Sequence, residues 1–173
     1  HISSFLLIYL FYLYIVLVDQ KKLLKLAVDY LSKYDSSKKN LINVLKRKIS
    51  KLNLDEVEKN ILIKFIDNII LKLEKNNLID DNRFCNSKIV QLSRSGKSKN
   101  YIFNYLMIKG VDKLKIQNNL KEFEVSNNNW EIDSATVFIK KKRLLNSNYS
   151  YEKKLSKMAR AGFSYEICKK LLG

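Results

Sequence analysis

The stretch Ser98–Asp112, SKNYIFNYLMIKGVD, decides the fold, because its pattern returns fifty-two residues later as Ser150–Ser164, SYEKKLSKMARAGFS. Each copy is a Ser, eleven residues, a Gly, one apolar residue and then Asp or Ser. Ser98 and Ser150 suit a helix N-cap, where a hydroxyl accepts from orphan backbone N–H groups. Gly110 and Gly162 suit the position just past a helix, which wants a left-handed backbone. Asp112 and Ser164 then offer the next N-cap, with Ile116 and Leu120 after the first copy and Cys168 and Leu172 after the second. The punctuation reads helix, tight corner, helix, in the same phase twice, which is the mark of a helical repeat array. A degenerate third copy lies sixty-one residues before the middle one: Ser37, Lys38, Leu41, Leu45 and Lys48 match Ser98, Lys99, Ile102, Leu106 and Lys109. Ile49 stands where the Gly would be, and the corner Ser50–Asp55 is longer.

Working outward, the pattern predicts repeats over 21–77, 78–125 and 126–173. In the first, Leu24, Ala27, Val28 and Leu31 share a face, followed by Leu41, Val44, Leu45 and Ile49. Asp55 then opens a long helix with a broad stripe from Val57, Ile61 and Leu62 to Ile69, Ile70 and Leu73. In the second, Asp80 or Asp81 caps a helix with Phe84, Ile89 and Leu92 inward. Tyr101, Ile102, Tyr105, Leu106 and Ile108 give the next its packing face. Ser126–Asn129 reads as a polar linker. Trp130 begins the third repeat, in which Ala135, Phe138, Ile139, Leu144, Leu155, Met158, Ile167, Leu171 and Leu172 are the candidate core.

These residues resemble the RecX family. Leu78-Ile79-Asp80-Asp81-Asn82-Arg83-Phe84 is similar to its L-D-D-x-R-F signature. Ser95-Gly96-Lys97-Ser98, Ile102, Leu106 and Lys109–Asp112 resemble its middle repeat. Trp130, Ala135, Lys140–Arg143 and Arg160–Tyr165 resemble its last, and Ala27–Ser32 with Ser36-Ser37 its first. The resemblance spans Lys21–Gly173 in order. It implies an all-α fold, a tandem array of three three-helix repeats forming an elongated, curved helical protein. It also implies a cytoplasmic, monomeric regulator of RecA without catalysis or cofactor, lodged in the groove of the RecA–single-stranded DNA filament. There it damps filament growth or ATP turnover, strand exchange and the damage response.

Composition is consistent with a folded helical protein: 173 residues with no Pro and four Gly leave little to interrupt helices. A formal charge of +16 points to polyanions or to an acidic protein surface. Heavy Lys and Asn usage also suits AT-rich coding DNA, so Lys in place of Arg carries little chemistry by itself.

Catalysis finds no support. The single His is His1, which leaves no triad, His-based metal cluster or proton relay. Ser95–Ser98 contains Gly-Lys-Ser but lacks the upstream Gly and strand of a phosphate loop, and reads as loop plus N-cap. Asp80-Asp81 reads as helix capping rather than metal binding. Cys85 and Cys168 are isolated and read as small buried residues of a reducing compartment.

The basic residues are the candidate filament and nucleic-acid site. Lys46, Arg47, Lys48 and Lys109 end predicted helices, and Arg94, Lys97 and Lys99 surround the middle corner. Lys140, Lys141, Lys142 and Arg143 form a run, followed by Lys153, Lys154, Lys157 and Arg160. Stacked in register they would form a stripe for single-stranded DNA phosphates or acidic filament surfaces. Against that stands the fact that four consecutive residues point around a full helical turn, and that cations near helix C-termini are favoured anyway. No recognition helix rich in Arg, Asn and Gln is apparent, so base readout is not expected.

Phe5–Val18 carries no charge. As a helix it would span about 21 Å, short of the roughly 30 Å hydrocarbon core. It lacks the basic n-region and cleavage site of a secretory signal. An upstream stretch outside the native protein, an accessory helix and a membrane anchor all stay open for it. Two other function classes accordingly stand beside RecA regulation: a protein binding single-stranded nucleic acid directly, and a membrane-tethered interaction protein.

Overall fold

The computed structural model describes residues 20–173, which form nine helices and no strand. The expected leader Phe5–Val18 lies outside the described residues. Among the described residues, no helix is long and apolar enough to cross a membrane. The helices are α1 (20–31), α2 (Lys38–Ser50), α3 (Glu56–Lys75), α4 (Asp81–Arg94), α5 (Lys99–Ile108), α6 (Lys113–Ser126), α7 (Trp130–Lys141), α8 (Tyr151–Arg160) and α9 (Tyr165–Leu172). The chain divides after Asp80 into two compact units.

In the first unit, Leu23 and Ala27 of α1 meet Leu41, Leu45 and Ile49 of α2 and Ile66 and Leu73 of α3. Burying each Leu or Ile side chain of this set stabilises by roughly 1.5–3 kcal/mol. Ser37 caps α2 by accepting from Asn40 N, as the degenerate repeat predicts. Asp55 caps α3 in a reciprocal box: its carboxylate accepts from Glu58 N, and the Glu58 carboxylate accepts from Asp55 N. Lys38 pairs with Glu74 at 2.7 Å.

The second unit holds two cores. Phe84, Cys85, Ile89, Ile102, Leu106, Val111, Ile116 and Leu120 pack from α4, α5 and α6. Ala135, Ile139, Leu144, Met158, Phe163 and Cys168 pack from α7, α8 and α9. Trp130, the first residue of α7, belongs to the former core and meets Phe123 edge-on at 5.4 Å.

The helix ends follow one device. Gly110 (φ 77°) and Gly162 (φ 90°) each sit one residue past a C-cap. Val111 N reaches Leu106 O and Gly110 N reaches Met107 O, while Phe163 N and Gly162 N repeat this with Met158 O and Ala159 O. Both are Schellman closures. The same closure recurs at Gly96, at Asn77 (φ 54°) and at Arg143 (φ 50°).

Some side chains depart from the expected faces. In α1 the buried pair is Leu23 and Ala27, and Val28 is exposed. Val57, Tyr101 and Ile108 are exposed too, Ile108 at 84%. Each lies at the edge of an apolar arc, and an arc read from spacing does not say where the neighbouring helices stop.

Candidate polyanion-binding surface

The corner joining α4 to α5, residues 95–98, organises the second unit. Gly96 takes φ 85°, and a Cβ there would come 2.9 Å from Phe138 N and 3.2 Å from Val137 Cγ1. Only a bare backbone lets α7 lie this close. Ser134 Oγ of α7 donates to Lys97 O at 2.8 Å, and Lys141 Nζ donates to Ser95 O at 3.0 Å. Lys99 N donates to Glu131 Oε1 at 2.9 Å. Ser98 Oγ accepts from Tyr101 N and donates to Ala161 O at 2.7 Å, while Asn100 Nδ2 donates to Gly162 O at 3.2 Å. The Ser-Gly-Lys-Ser segment is therefore loop plus N-cap, with its hydroxyl also fastening the corner between α8 and α9.

This arrangement sorts the predicted cations. Lys99 Nζ pairs with Glu124 at 2.7 Å, Lys141 serves the corner, and Lys97 Nζ lies 4.3 Å from the Tyr101 ring. Lys99 and Lys141 thereby tie α5 to α6 and α7 to the corner, while the Lys97 contact stays within the corner and the first turn of α5. Lys109 Nζ lies 5.7 Å from the Tyr105 ring. Lys153 and Lys157 approach Tyr149 at 4.4 and 4.8 Å. Arg160 donates to Ser156 Oγ, and Lys154 is half-buried on α8.

Lys140, Lys142 and Arg143 are exposed at the C-terminal end of α7, where the helix dipole also favours positive charge. Arg94, ending α4, is exposed as well. In the first unit Lys46 and Arg47 are exposed and Lys48 half-buried in the last turn of α2.

Burial raises the Glu131 carboxyl above its ordinary value, outweighing the opposing pull of the Lys99 N–H and charge. Burial also pushes the Cys85 thiol up to about 11, with the Asp81 charge adding to it. Cys168 shifts upward for the same leading reason. Both thiols are free and buried, and thiols held protonated are poor nucleophiles and ligands.

Sequence reading missed Ser134, Glu131 and Asn100. Their partners stand 32–62 residues away, and no local spacing announces such bonds.

No protein-family model matches the chain. It is 29% identical over 156 residues to "Regulatory protein RecX" of Myxococcus xanthus (strain DK1622), covering 84% of this chain and 81% of the relative. Its fold matches a crystal structure of RecX from Lactobacillus salivarius with a TM-score of 0.65, at 23% identity over 88% of this chain and 93% of the other. A crystal structure titled regulatory protein RecX matches with a TM-score of 0.66, at 20% identity over 91% of this chain and 72% of the other. The relative and both solved structures are RecX proteins, and the chain is similar to the first in sequence and to the other two in fold.

Proposed function

We propose that this chain is a cytoplasmic, monomeric regulator of RecA that binds the RecA–single-stranded DNA filament without catalysis of its own. It damps ATP turnover, filament growth and strand exchange, and its recognition units are the three-helix repeats 21–77, 78–125 and 126–173. Several weak contacts spread over these units give avidity, and exposed cations supply complementarity to acidic protein surface and to phosphates.

The observation that carries this reading is the end of α7. Lys140, Lys142 and Arg143 stand exposed together, and Arg143 occupies a left-handed position, φ 50°, where Gly or Asn is usual. A non-Gly residue there costs on the order of 1 kcal/mol, and the left-handed backbone sets the guanidinium just past the end of α7. The other proposed contacts are Lys46, Arg47 and Lys48 in the first unit, and Arg94, Lys109, Lys153, Lys154 and Arg160 in the second. Lys97, Lys99 and Lys141 contribute by holding the corner in place.

The test is filament binding by K140E/K142E/R143E, which leaves Lys141 on Ser95 O. At least a tenfold loss of affinity with unchanged helicity is expected. Wild-type affinity would remove α7 from the site.

A further inference from the structure

Contrary to the sequence reading, one helix does carry Arg, Asn and Gln on a single side. On α4, Arg83, Asn86, Ser87, Gln91 and Arg94 are exposed, while Phe84, Cys85 and Ile89 are buried. Steps of three and four place the exposed set on one face, with the two arginines about 16 Å apart along the axis. The only acid in α4, Asp81, is buried in its first turn. Five arginines stand in the whole chain, and two of them are here. Arg presents the planar fork that suits phosphate, which Lys does not.

A shallow concavity follows this face from Arg83 to Arg94. Through Val90 and Arg94 it continues into a cavity of about 580 Å³ between α4, the end of α6 and α7. Half-buried Phe123 and the small exposed part of Trp130, otherwise buried in the core, give that cavity aromatic lining; Asn127 and Asn128 give it amides, and Asp133 gives it a carboxylate. The approach therefore carries two arginines, and the cavity sets one of them, Arg94, alongside a single exposed carboxylate, Asp133. An acidic side chain entering would meet Asp133. A strand with anionic phosphates and neutral bases fits both ends.

We propose that α4 and this cavity bind a single strand of nucleic acid directly. Arg83 and Arg94 hold phosphates, and one unstacked base enters the cavity against Trp130 and Phe123. Asp133 accepts a hydrogen bond from the exocyclic amine of that base, which favours cytosine, adenine and guanine over thymine. A duplex is disfavoured because its bases are paired and stacked. This deepens the nucleic-acid part of the function proposed above and needs nothing from its RecA part.

Trp130 is the only tryptophan, so base entry reports itself in the emission of the intact chain. The experiment titrates twelve-nucleotide dC, dA and dT oligomers into the full chain without RecA, with anisotropy of labelled oligomers in parallel. Saturable change with dC and dA is expected, with dT roughly tenfold weaker, as for one lost hydrogen bond at about 1.4 kcal/mol per tenfold. The plot of log affinity against log salt should have a slope of about −1.4 for two phosphates, falling to about −0.7 in R94A. D133N should still bind but lose the preference for dC over dT. Binding without a tryptophan response, wild-type behaviour of R94A and D133N, or a duplex bound as tightly would each overturn the proposal. A wild-type chain that damps RecA but gives no tryptophan response would sink this proposal alone.

Discussion

Gly162→Ala tests how the corner between α8 and α9 is fastened to α5. An alanine at φ 90° sits in the left-handed region, at roughly 1–2 kcal/mol. Its Cβ would also lie 2.6 Å from Ser98 Oγ, too close for the hydroxyl to stay, and 3.3 Å from Asn100 Cβ, which must give by a few tenths of an ångström. Ser98 would then lose its bond to Ala161 O, and Asn100 its bond to Gly162 O, at about 1 kcal/mol each. The sum is about 3–4 kcal/mol, read from urea denaturation followed by far-ultraviolet circular dichroism. Ser98→Ala alone loses an N-cap and the same inter-helix bond, about 2 kcal/mol. With the hydroxyl already gone the bond to Ala161 O is lost only once, so the double variant should cost about 1 kcal/mol less than the two singles added. A Gly162→Ala protein within about 0.5 kcal/mol of wild type, or a strictly additive cycle, would refute the reasoning.

Arg143→Gly relieves the left-handed residue and should stabilise the protein by about 1 kcal/mol in the same denaturation assay, while weakening filament binding. For Glu131, burial raises the folded carboxyl above the unfolded value of 4.5. The folded state then holds its proton longer, so wild type loses stability as pH climbs from about 4.5 through the raised value. Glu131→Gln keeps an acceptor for Lys99 N and should lack that decline when midpoints are compared across pH. Cys85 shifts from about 9 to about 11; its stabilisation is intact below pH 9 and fades as pH rises to 11, by up to roughly 2–3 kcal/mol. Cys85→Ala should lose less stability than wild type over that alkaline interval.

The repeated Ser, Gly and Asp positions were legible in the sequence because caps and left-handed closures are local: one residue meets backbone a few positions away. The apolar arcs of α2 and of the middle of α3 were legible for the same reason. What spacing could not supply was the position of a neighbour. Tyr101 and Ile108 lie on the edge of the α5 arc, and no helix covers them within the second unit's core. Lys99 and Lys141 read as members of a basic stripe, yet their ammonium groups are spent on Glu124 and on Ser95 O, partners 25 and 46 residues away in the chain. The polar face of α4 escaped notice because its residues are separated by buried ones, and its cavity is completed by α6 and α7. Arg143 could not be singled out within a run of four cations until its backbone conformation was known.

The most direct test of the account is RecA's single-strand-dependent ATP hydrolysis with this chain titrated in. The account predicts a fall in rate that excess single-stranded DNA does not restore, because the chain acts on the filament. An unchanged rate, or a fall erased by added DNA, would contradict it and leave a basic helical protein that competes for strands.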